Sequence, residues 1–375
     1  MSVLFEPLKI GHLEMKNRFV RPATYFALAD ADGFIGDASV ALMRQLANND
    51  IGLIVTGYAY VLKSGQSFPD MNGIQDDDHI PGYRRMTRAV HDAGGKIVMQ
   101  IVHCGLMSET TARTSGDYMA VSLTDRMPDY GRLPREMTEK DIREIIRAFG
   151  RAARRVQEAG FDGVQIHAAY THLGSQFLSP ATNRRKDQWG GSLENRMRFV
   201  IEVTREVKTQ VTEDFPVMIK LGGRDYLEAE AGLTIQDGAT VARALEKEGV
   251  ALIEISHGIH DRKFQQKSTG VTSPGKEAYL LPDARVIRAY TTGPLCLVGG
   301  LRSLPVMEDI VGSGVVDGIS ICRPIIREPD LIKRWREVDT RPADCISCHG
   351  CFNRDEQGKM HIFCRQLKKE TKAEG

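Results

Sequence analysis

The stretch AGFDGVQIHAAYTHLGSQFLSPATNRRKDQWGGSLENRMR, residues 159–198, carries most of the information about the fold. The short apolar run at 163–166 follows a helical pattern and is typical of a buried strand. His167, Tyr170 and His172 come directly after that strand. In an α/β barrel the active site lies at the carboxyl ends of the strands. One histidine there would often be a hydrogen-bonded core residue, but three aromatic or imidazole groups at one strand end indicate a functional site.

The same alternation of strand and helix continues on both sides of that stretch. Further strands are predicted at 17–23, 51–55, 96–102, 216–221, 251–255, 295–298 and 318–321. Helices are predicted at 38–47 after Asp37, from Pro81, after a Thr138–Asp141 cap, from Asn195, and at 234–248, 283–290, 304–311 and 329–335. Eight short strands alternating with helices predict an α/β fold, a (β/α)8 TIM barrel. The long irregular segment 104–137 is expected to cover the active site.

The composition narrows the class of function. The chain has 375 residues, 42% hydrophobic and 26% charged, with a net charge of +1. A net charge so close to zero predicts neither nucleic acid nor an anionic membrane as partner. The N-terminus does not resemble a signal peptide, and no apolar run reaches the ~18 residues of a membrane span. We therefore expect a soluble, cytoplasmic protein with a small-molecule substrate, and the pattern leaves open whether it forms a homo-oligomer.

Two polar residues interrupt strands that are otherwise apolar. Gln100 lies in KIVMQIV and Lys220 in PVMIKL. A buried amide or ammonium group is costly unless it is paired. A flavin ring would supply partners for both residues, and for Lys220 a salt bridge inside the barrel is an equal alternative.

The ends of the last two predicted strands suggest a phosphate site. Gly299 and Gly300 follow strand seven, and Cys322 and Arg323 follow strand eight. In barrels these two loops often hold a phosphate through backbone N–H groups and a cation. The pairing of a Gly-Gly turn with an arginine therefore favours a phosphorylated ligand.

The C-terminal residues 339–375 form a cysteine-rich extension to the barrel predicted over 1–338. Its cysteines are spaced Cys345-x2-Cys348-x2-Cys351-x12-Cys364. Four thiolates with this spacing suit a [4Fe–4S] cluster or a tetrahedral zinc ion, and an empty vestigial set is the third alternative.

Several motifs together resemble the old yellow enzyme family of FMN-dependent oxidoreductases, from Leu4 to about Trp335. They are LFEPLKIGHLEMKNRFVRPAT, QIVHCG, GFDGVQIHAAY, QFLSPATNRRKDQWGGSLENRMRF, VGGLRS and ICRP. The resemblance implies an FMN site whose residues are Pro22, Ala23, Thr24, Tyr58, Gln100, Lys220, Gly299, Gly300, Cys322 and Arg323. It also implies non-covalent FMN, because Tyr25 stands where trimethylamine dehydrogenase has the cysteine that attaches its flavin.

The resemblance further implies a place for the substrate. His167 and Tyr170 stand where the family binds a substrate carbonyl oxygen, and His172 stands where it has a proton-donating tyrosine. In the similar dienoyl-CoA reductases a histidine at the position of His260 assists proton delivery. We therefore expect His167, Tyr170, His172 and His260 to be catalytic. The iron–sulfur branch of the family, which includes 2-enoate reductase, binds a [4Fe–4S] cluster with cysteines like those of the tail.

These features predict an FMN and [4Fe–4S] enzyme that reduces the C=C bond of an enone or enoyl thioester. NADH, NADPH or a separate electron-transfer protein would supply the electrons. Amine oxidation or demethylation is an alternative, although the tail has no evident aromatic cage for an alkylated ammonium. The second alternative is a flavo-iron–sulfur subunit that passes electrons to a separate partner.

Overall fold

The computed structural model describes residues 2–114, 116–228, 231–337, 339–356 and 359–373, with side chains up to 369. The strands are β1 (Leu8–Ile10), β2 (Leu13–Met15), β3 (Phe19–Arg21), β4 (Leu53–Val55), β5 (Ala59–Tyr60), β6 (Ile97–Val102), β7 (Met119–Ala120), β8 (Arg135–Glu136), β9 (Val164–Ala168), β10 (Val217–Gly222), β11 (Leu252–Ser256), β12 (Leu295–Val298), β13 (Gly318–Ser320), β14 (Phe352–Arg354) and β15 (Met360–Ile362). The helices are α1 (Asp37–Asn48), α2 (Ile80–His91), α3 (Glu109–Arg113), α4 (Glu139–Glu158), α5 (Leu173–Leu178), α6 (Leu193–Thr209), α7 (Ile235–Lys247), α8 (Arg262–Lys267), α9 (Leu281–Arg288), α10 (Leu304–Gly312), α11 (Arg323–Arg327), α12 (Leu331–Glu337) and α13 (Arg365–Ala373).

Eight parallel strands close into a barrel. They pair in the order β4-β3-β13-β12-β11-β10-β9-β6, and β6 pairs again with β4. Helices connect the strands on the outside, so the (β/α)8 TIM-barrel prediction is confirmed.

An apolar floor closes the amino-terminal end of the barrel. The hairpin β1–β2 places Leu8, Ile10, Leu13 and Met15 against inward-facing side chains of the barrel strands, and both groups belong to one buried cluster. The members of that cluster on the barrel strands are Val20, Leu53, Val55, Val98, Met218, Leu252 and Cys296. Because this end is filled, the space for a ligand lies at the carboxyl ends of the strands.

Side-chain caps fix the start of several helices. Thr138 accepts a hydrogen bond from the backbone of Asp141, and the Asp141 carboxylate accepts one from the backbone of Thr138, as the sequence predicted. Thr234 and Asp237 repeat this box at α7. The buried face of α4 carries the predicted apolar residues Ile142, Ile145, Ile146, Phe149, Ala153 and Val156.

Some predicted boundaries are wrong. Helix α6 begins at Leu193 rather than Asn195, because the Ser192 side chain caps it by accepting from the Asn195 backbone. Asp37 is the first residue of α1 and does not cap it. Strand β9 continues to Ala168, so His167 lies inside the strand and not after it.

The tail folds back onto the barrel through backbone contacts. Ala343 N–H donates to the Arg302 carbonyl (2.9 Å), and Gly270 N–H donates to the Ser347 carbonyl (3.1 Å). Strands β14 and β15 form an antiparallel hairpin beyond these contacts. The predicted boundary at residue 338 falls on a residue outside the described part of the chain.

Over the residues that the structure describes, helices are too short or too polar to cross a membrane.

The capping box at α4 makes a quantitative prediction. Thr138→Ala removes the acceptor for an otherwise unpaired N–H, so the free energy of unfolding should fall by about 1 kcal/mol. Thr240→Ala is the matched control, since Thr240 lies exposed inside α7 and bonds only the carbonyl of its own helix (2.9 Å). Urea midpoints should drop for the first variant and not for the second. Equal drops would show that the box contributes nothing specific.

Candidate active site

A cavity of about 400 Å³ opens at the carboxyl ends of the barrel strands. Its lining includes all the predicted catalytic and cofactor-binding residues except Pro22. These are Ala23, Thr24, Tyr58, Gln100, His167, Tyr170, His172, Lys220, His260, Gly299, Gly300, Cys322 and Arg323. The Pro22 carbonyl instead accepts a hydrogen bond from the buried Arg21 guanidinium. The barrel therefore gathers residues from the ends of all eight of its strands and the loops that follow them into one space.

Segment 104–137 is not the predicted cover of this cavity. Among the described residues, none from that segment lines it. The segment packs against the loop before α6, where Ser122 donates to the Thr182 carbonyl (2.7 Å). Arg126 of the segment forms an ion pair (3.2 Å) with Asp261, the residue after the cavity residue His260.

Imidazole and phenol rings crowd one wall of the cavity. The ring centroids of His167 and His172 are 4.5 Å apart, and those of Tyr170 and His257 are 4.2 Å apart. His257 also lies 4.6 Å from His260. His257 was not among the residues predicted from the sequence, although its position directly after β11 could have indicated that it lines the site. These contacts join the imidazole and phenol rings into one continuous hydrogen-bonding wall.

Burial keeps these imidazoles uncharged at neutral pH. It lowers the pKa of His172 to about 4 and that of His257 to about 3. Burial also lowers the pKa of His167 well below its usual value, and His172 and Lys220 add to the shift. Bringing a second positive charge into this wall would be unfavourable, since Lys220 already supplies one.

Tyr170 has a constrained backbone. Its φ is 52° and that of Thr171 is 61°, and both are left-handed values that non-glycine residues rarely adopt. Tyr170 N–H donates to the His257 carbonyl (3.0 Å), which holds this conformation. Tyr170 is 37% exposed, but desolvation of its phenol within the cavity still raises its pKa, to about 12, so the phenol stays protonated at neutral pH. Strain of this kind often accompanies functional residues.

A layer of polar side chains lies between the apolar floor and the cavity. Lys220 Nζ is 3.2 Å from Glu254 Oε1, so the salt bridge considered as an alternative is present. Lys220 nevertheless lines the cavity as well. Gln165 donates to Glu254 Oε2 (3.0 Å), and Gln100 donates to Gln165 Oε1 (2.6 Å). The sequence analysis missed Gln165 and Glu254, whose signal was a polar residue at an inward position of an apolar strand.

At the opposite end of the cavity, two glycines leave the backbone accessible to a ligand. Gly299 and Gly300 have φ values of 138° and 72°, and a Cβ on Gly300 would lie 3.0 Å from the Tyr279 ring. Ser320 Oγ and Arg302 Nε are buried there without a hydrogen-bond partner among the described residues. Such groups need a polar ligand.

The four tail cysteines line a second, smaller cavity next to the first. Cys345, Cys348, Cys351 and Cys364 surround it, and all four are free thiols. Arg323, His349 and Cys351 line both cavities, so the two spaces share a wall. Within the part of the chain that the structure describes, no group of His, Cys, Asp and Glu is arranged to hold a single metal ion.

Comparison with known proteins agrees with this geometry. The model of the NADH:flavin oxidoreductase / NADH oxidase family matches residues 3–339. The chain belongs to this family. The resemblance to the FMN-dependent oxidoreductases of the old yellow enzyme type seen in the sequence is therefore confirmed, and membership of the family implies flavin and NAD(P)H-type chemistry.

Individual relatives of this oxidoreductase have diverse activities. A "NADH oxidase" of Thermoanaerobacter brockii is 33% identical over 96% of the chain and 55% of its own length. An "N,N-dimethylglycine/sarcosine dehydrogenase" of Chromohalobacter salexigens is 30% identical over 97% and 53%. The structure of a 2-naphthoyl-CoA reductase in complex with 2-naphthoyl-CoA superposes with a TM-score of 0.83 at 29% identity, covering 93% of this chain and 54% of that one. The oxidoreductase spans about half the length of these three proteins.

The buried histidines predict how stability depends on pH. Burial lowers the pKa of His103 to about 3, and Gly105 N–H donates to its unprotonated Nδ1 (3.1 Å). The unfolded chain takes up a proton near the usual pKa of about 6.5, whereas the folded one does not, so stability should fall as pH drops from about 6.5 towards 3. His103→Gln should reduce that slope by up to about 1.4 kcal/mol per pH unit.

Urea unfolding at several pH values between about 7 and 5 measures the slope. Ser64→Ala is the control, because Ser64 contacts the His103 ring (3.2 Å) without titrating itself. It should shift stability equally at every pH. An unchanged slope in His103→Gln would contradict the assignment.

Proposed function

We propose that this oxidoreductase binds FMN without a covalent bond and reduces the C=C bond of an activated alkene, an enone or an enoyl thioester. The observation that carries the proposal is the cavity at the carboxyl ends of the barrel strands. It brings the hydrogen-bonding wall of His167, His172 and Tyr170 above Lys220 and Gln100. Acid precipitation tests the first part, since non-covalent FMN would be released into the supernatant.

The residues present fit a flavin phosphate and ring. Gly299 and Gly300 leave the backbone open for a phosphate, and the unpartnered Ser320 Oγ and Arg302 Nε lie in the same lining. Arg323 would add a cation, and its Nη1 now donates to the Ser268 carbonyl (3.0 Å). At the ring end, Lys220 would stabilise negative charge that builds up on reduction.

The chain's own residues would polarise the substrate. FMN supplies hydride chemistry when it is bound. His167 Nδ1 is buried without a hydrogen-bond partner among the described residues, so its ring is free to orient towards a substrate carbonyl oxygen. The Tyr58 ring lies with its centroid 5.3 Å from that of His172 and adds a phenol to the same wall.

Two sets of residues compete for proton delivery. His172 and His260 are the donors expected from the sequence, but burial lowers the pKa of both imidazoles. An imidazole that is already neutral is a much weaker acid than a phenol. Tyr170 keeps its proton at neutral pH and lies in the same wall. These pKa directions support Tyr170 as the proton donor, with the histidines as hydrogen-bonding groups around it.

Tyr170→Phe should separate the two half-reactions. Alkene reduction by the reduced enzyme should slow by roughly 10²-fold or more, the usual contribution of a general acid. Reduction of the flavin by its donor should stay nearly intact. His172→Phe is the comparison, and stopped-flow absorbance follows both steps. A loss in His172→Phe with none in Tyr170→Phe would return the role to His172.

We infer that the tail binds a [4Fe–4S] cluster, as in the family branch that it resembles. All four thiols face one cavity, and a cluster would take one thiolate at each iron. It would supply one-electron chemistry beside the shared wall. A tetrahedral zinc ion is the alternative, and an iron and acid-labile sulfide assay decides between them. On this proposal residues 1–338 form the flavin barrel and 339–375 the cluster-binding extension.

The exposed surface at the cluster favours a second candidate, electron exchange with a separate protein. Cys348 is exposed, and Ile346, Phe352 and Leu367 are exposed at 44%, 57% and 41%. Lys368 and Lys369 would favour an acidic partner, whereas the side chain of Lys372, which the sequence also suggests, lies outside the described residues. Amine oxidation is the alternative suggested by the spacing of the tail cysteines and by the names of two similar proteins, the N,N-dimethylglycine/sarcosine dehydrogenase and a histamine dehydrogenase. NADH or NADPH as direct donor, a cytoplasmic location and a homo-oligomer also remain proposals.

Cys348→Ser tests the role of the cluster. If a partner delivers electrons through it, turnover with a reduced ferredoxin or flavoprotein should be lost, because the one-electron carrier is gone. Reduction of FMN by dithionite should survive in the folded variant. If the variant without iron still turns over fast with NADH or NADPH, the cluster has only a structural role.

A further inference from the structure

Four buried side chains form one continuous hydrogen-bonded relay below the cavity. It runs from Lys220 on β10 to Glu254 on β11, then to Gln165 on β9 and Gln100 on β6. The four residues are between 0% and 4% exposed. Register places them side by side, since Lys220 pairs with Glu254 and Gln165 pairs with Gln100. Only the two ends of the relay, Lys220 and Gln100, line the cavity.

The charge on Glu254 fixes the direction of every bond in this relay. A carboxylate has only acceptors and an ammonium only donors. Lys220 occupies Glu254 Oε1, so Gln165 must turn its NH2 group towards Oε2. Gln165 Oε1 then faces Gln100, which must donate its own NH2 group. The remaining atom, Gln100 Oε1, receives no hydrogen bond from the residues that the structure describes.

We infer that Glu254 is a positioning residue that turns the Gln100 oxygen into the acceptor of the flavin site. Oxidised isoalloxazine has a single N–H group, at N3, so an acceptor at this point recognises N3–H. Lys220, a pure donor at the other end of the relay, suits the carbonyl oxygens of the same ring. The inference rests on the proposed binding of FMN.

Replacing the carboxylate should reverse the relay. In Glu254→Gln the new amide must still accept from Lys220, so its oxygen faces Lys220 and its NH2 group faces Gln165. Gln165 then accepts from that group through its oxygen and donates its own NH2 group to Gln100 Oε1, which leaves the Gln100 NH2 group facing the cavity. That group would oppose the N3–H of FMN. The variant therefore predicts weaker FMN binding and no preference for a free N3–H.

The experiment compares FMN with 3-methyl-FMN, in which the N–H is absent. Full-length protein is depleted of flavin and titrated with each compound, with flavin fluorescence as the readout. The natural chain should bind FMN roughly tenfold or more tightly, as one buried hydrogen bond implies. Glu254→Gln should bring the ratio of the two affinities towards one.

Gln165→Met is the second variant, because it cuts the relay and keeps the Lys220–Glu254 ion pair. Its affinity ratio should also fall, even if Glu254→Gln does not fold. Gln265→Ala is the control, a change at an exposed residue of the same lining that lies outside the relay, and it should leave the ratio unchanged. The methyl group is equally bulky in every variant, so a purely steric effect would not follow the relay.

Two results would overturn the inference. One is equal affinity of the natural chain for both flavins. The other is an affinity ratio that persists in every folded relay variant. If the chain binds neither flavin, the proposed function fails, which is a different outcome from flavin binding without discrimination.

Discussion

The ion pair between Lys220 and Glu254 is the interaction on which the rest of the site depends. Both groups are almost completely buried, and removing two charges from water is costly unless they meet each other and further partners. Gln165 supplies that further partner to the carboxylate. The pair therefore exists only because the barrel places β10 beside β11 and β9 within reach. It separates an apolar floor from a polar cavity.

The same pair shapes the electrostatics above it. The Lys220 ammonium adds to the effect of burial on His167 and His257, and it lies 5.4 Å from the centre of the Tyr170 ring. Protonating an imidazole beside this cation is unfavourable, whereas a neutral phenol is tolerated. One buried charge thus influences which groups in the wall can carry a proton.

The tail is joined to the barrel at the end of the cavity that is lined by Gly299, Gly300 and Arg323, rather than at its histidine wall. Arg323, which begins α11 directly after the last barrel strand, faces both cavities. His349 contacts Ser268 (3.0 Å) from the tail side, and Arg323 donates to the carbonyl of that same residue. This shared wall would place a flavin and a cluster as neighbours without any intervening domain.

The barrel could be predicted from the sequence alone, because the alternation of apolar strands and capped helices is a local pattern. The same holds for many of the residues that line the cavity, because each follows a predicted strand, and for the four cysteines, because they are close together in the chain. The predicted start of α6 at Asn195 and the predicted capping role of Asp37 at α1 were wrong, since several polar residues within one turn compete to be the cap. Only the tertiary structure joined Gln100, Gln165, Lys220 and Glu254, which lie on four different strands. Strand register decides such contacts, and register depends on how the whole barrel closes. For the same reason burial, and with it the neutral state of His172 and His257, could be known only once the fold was complete.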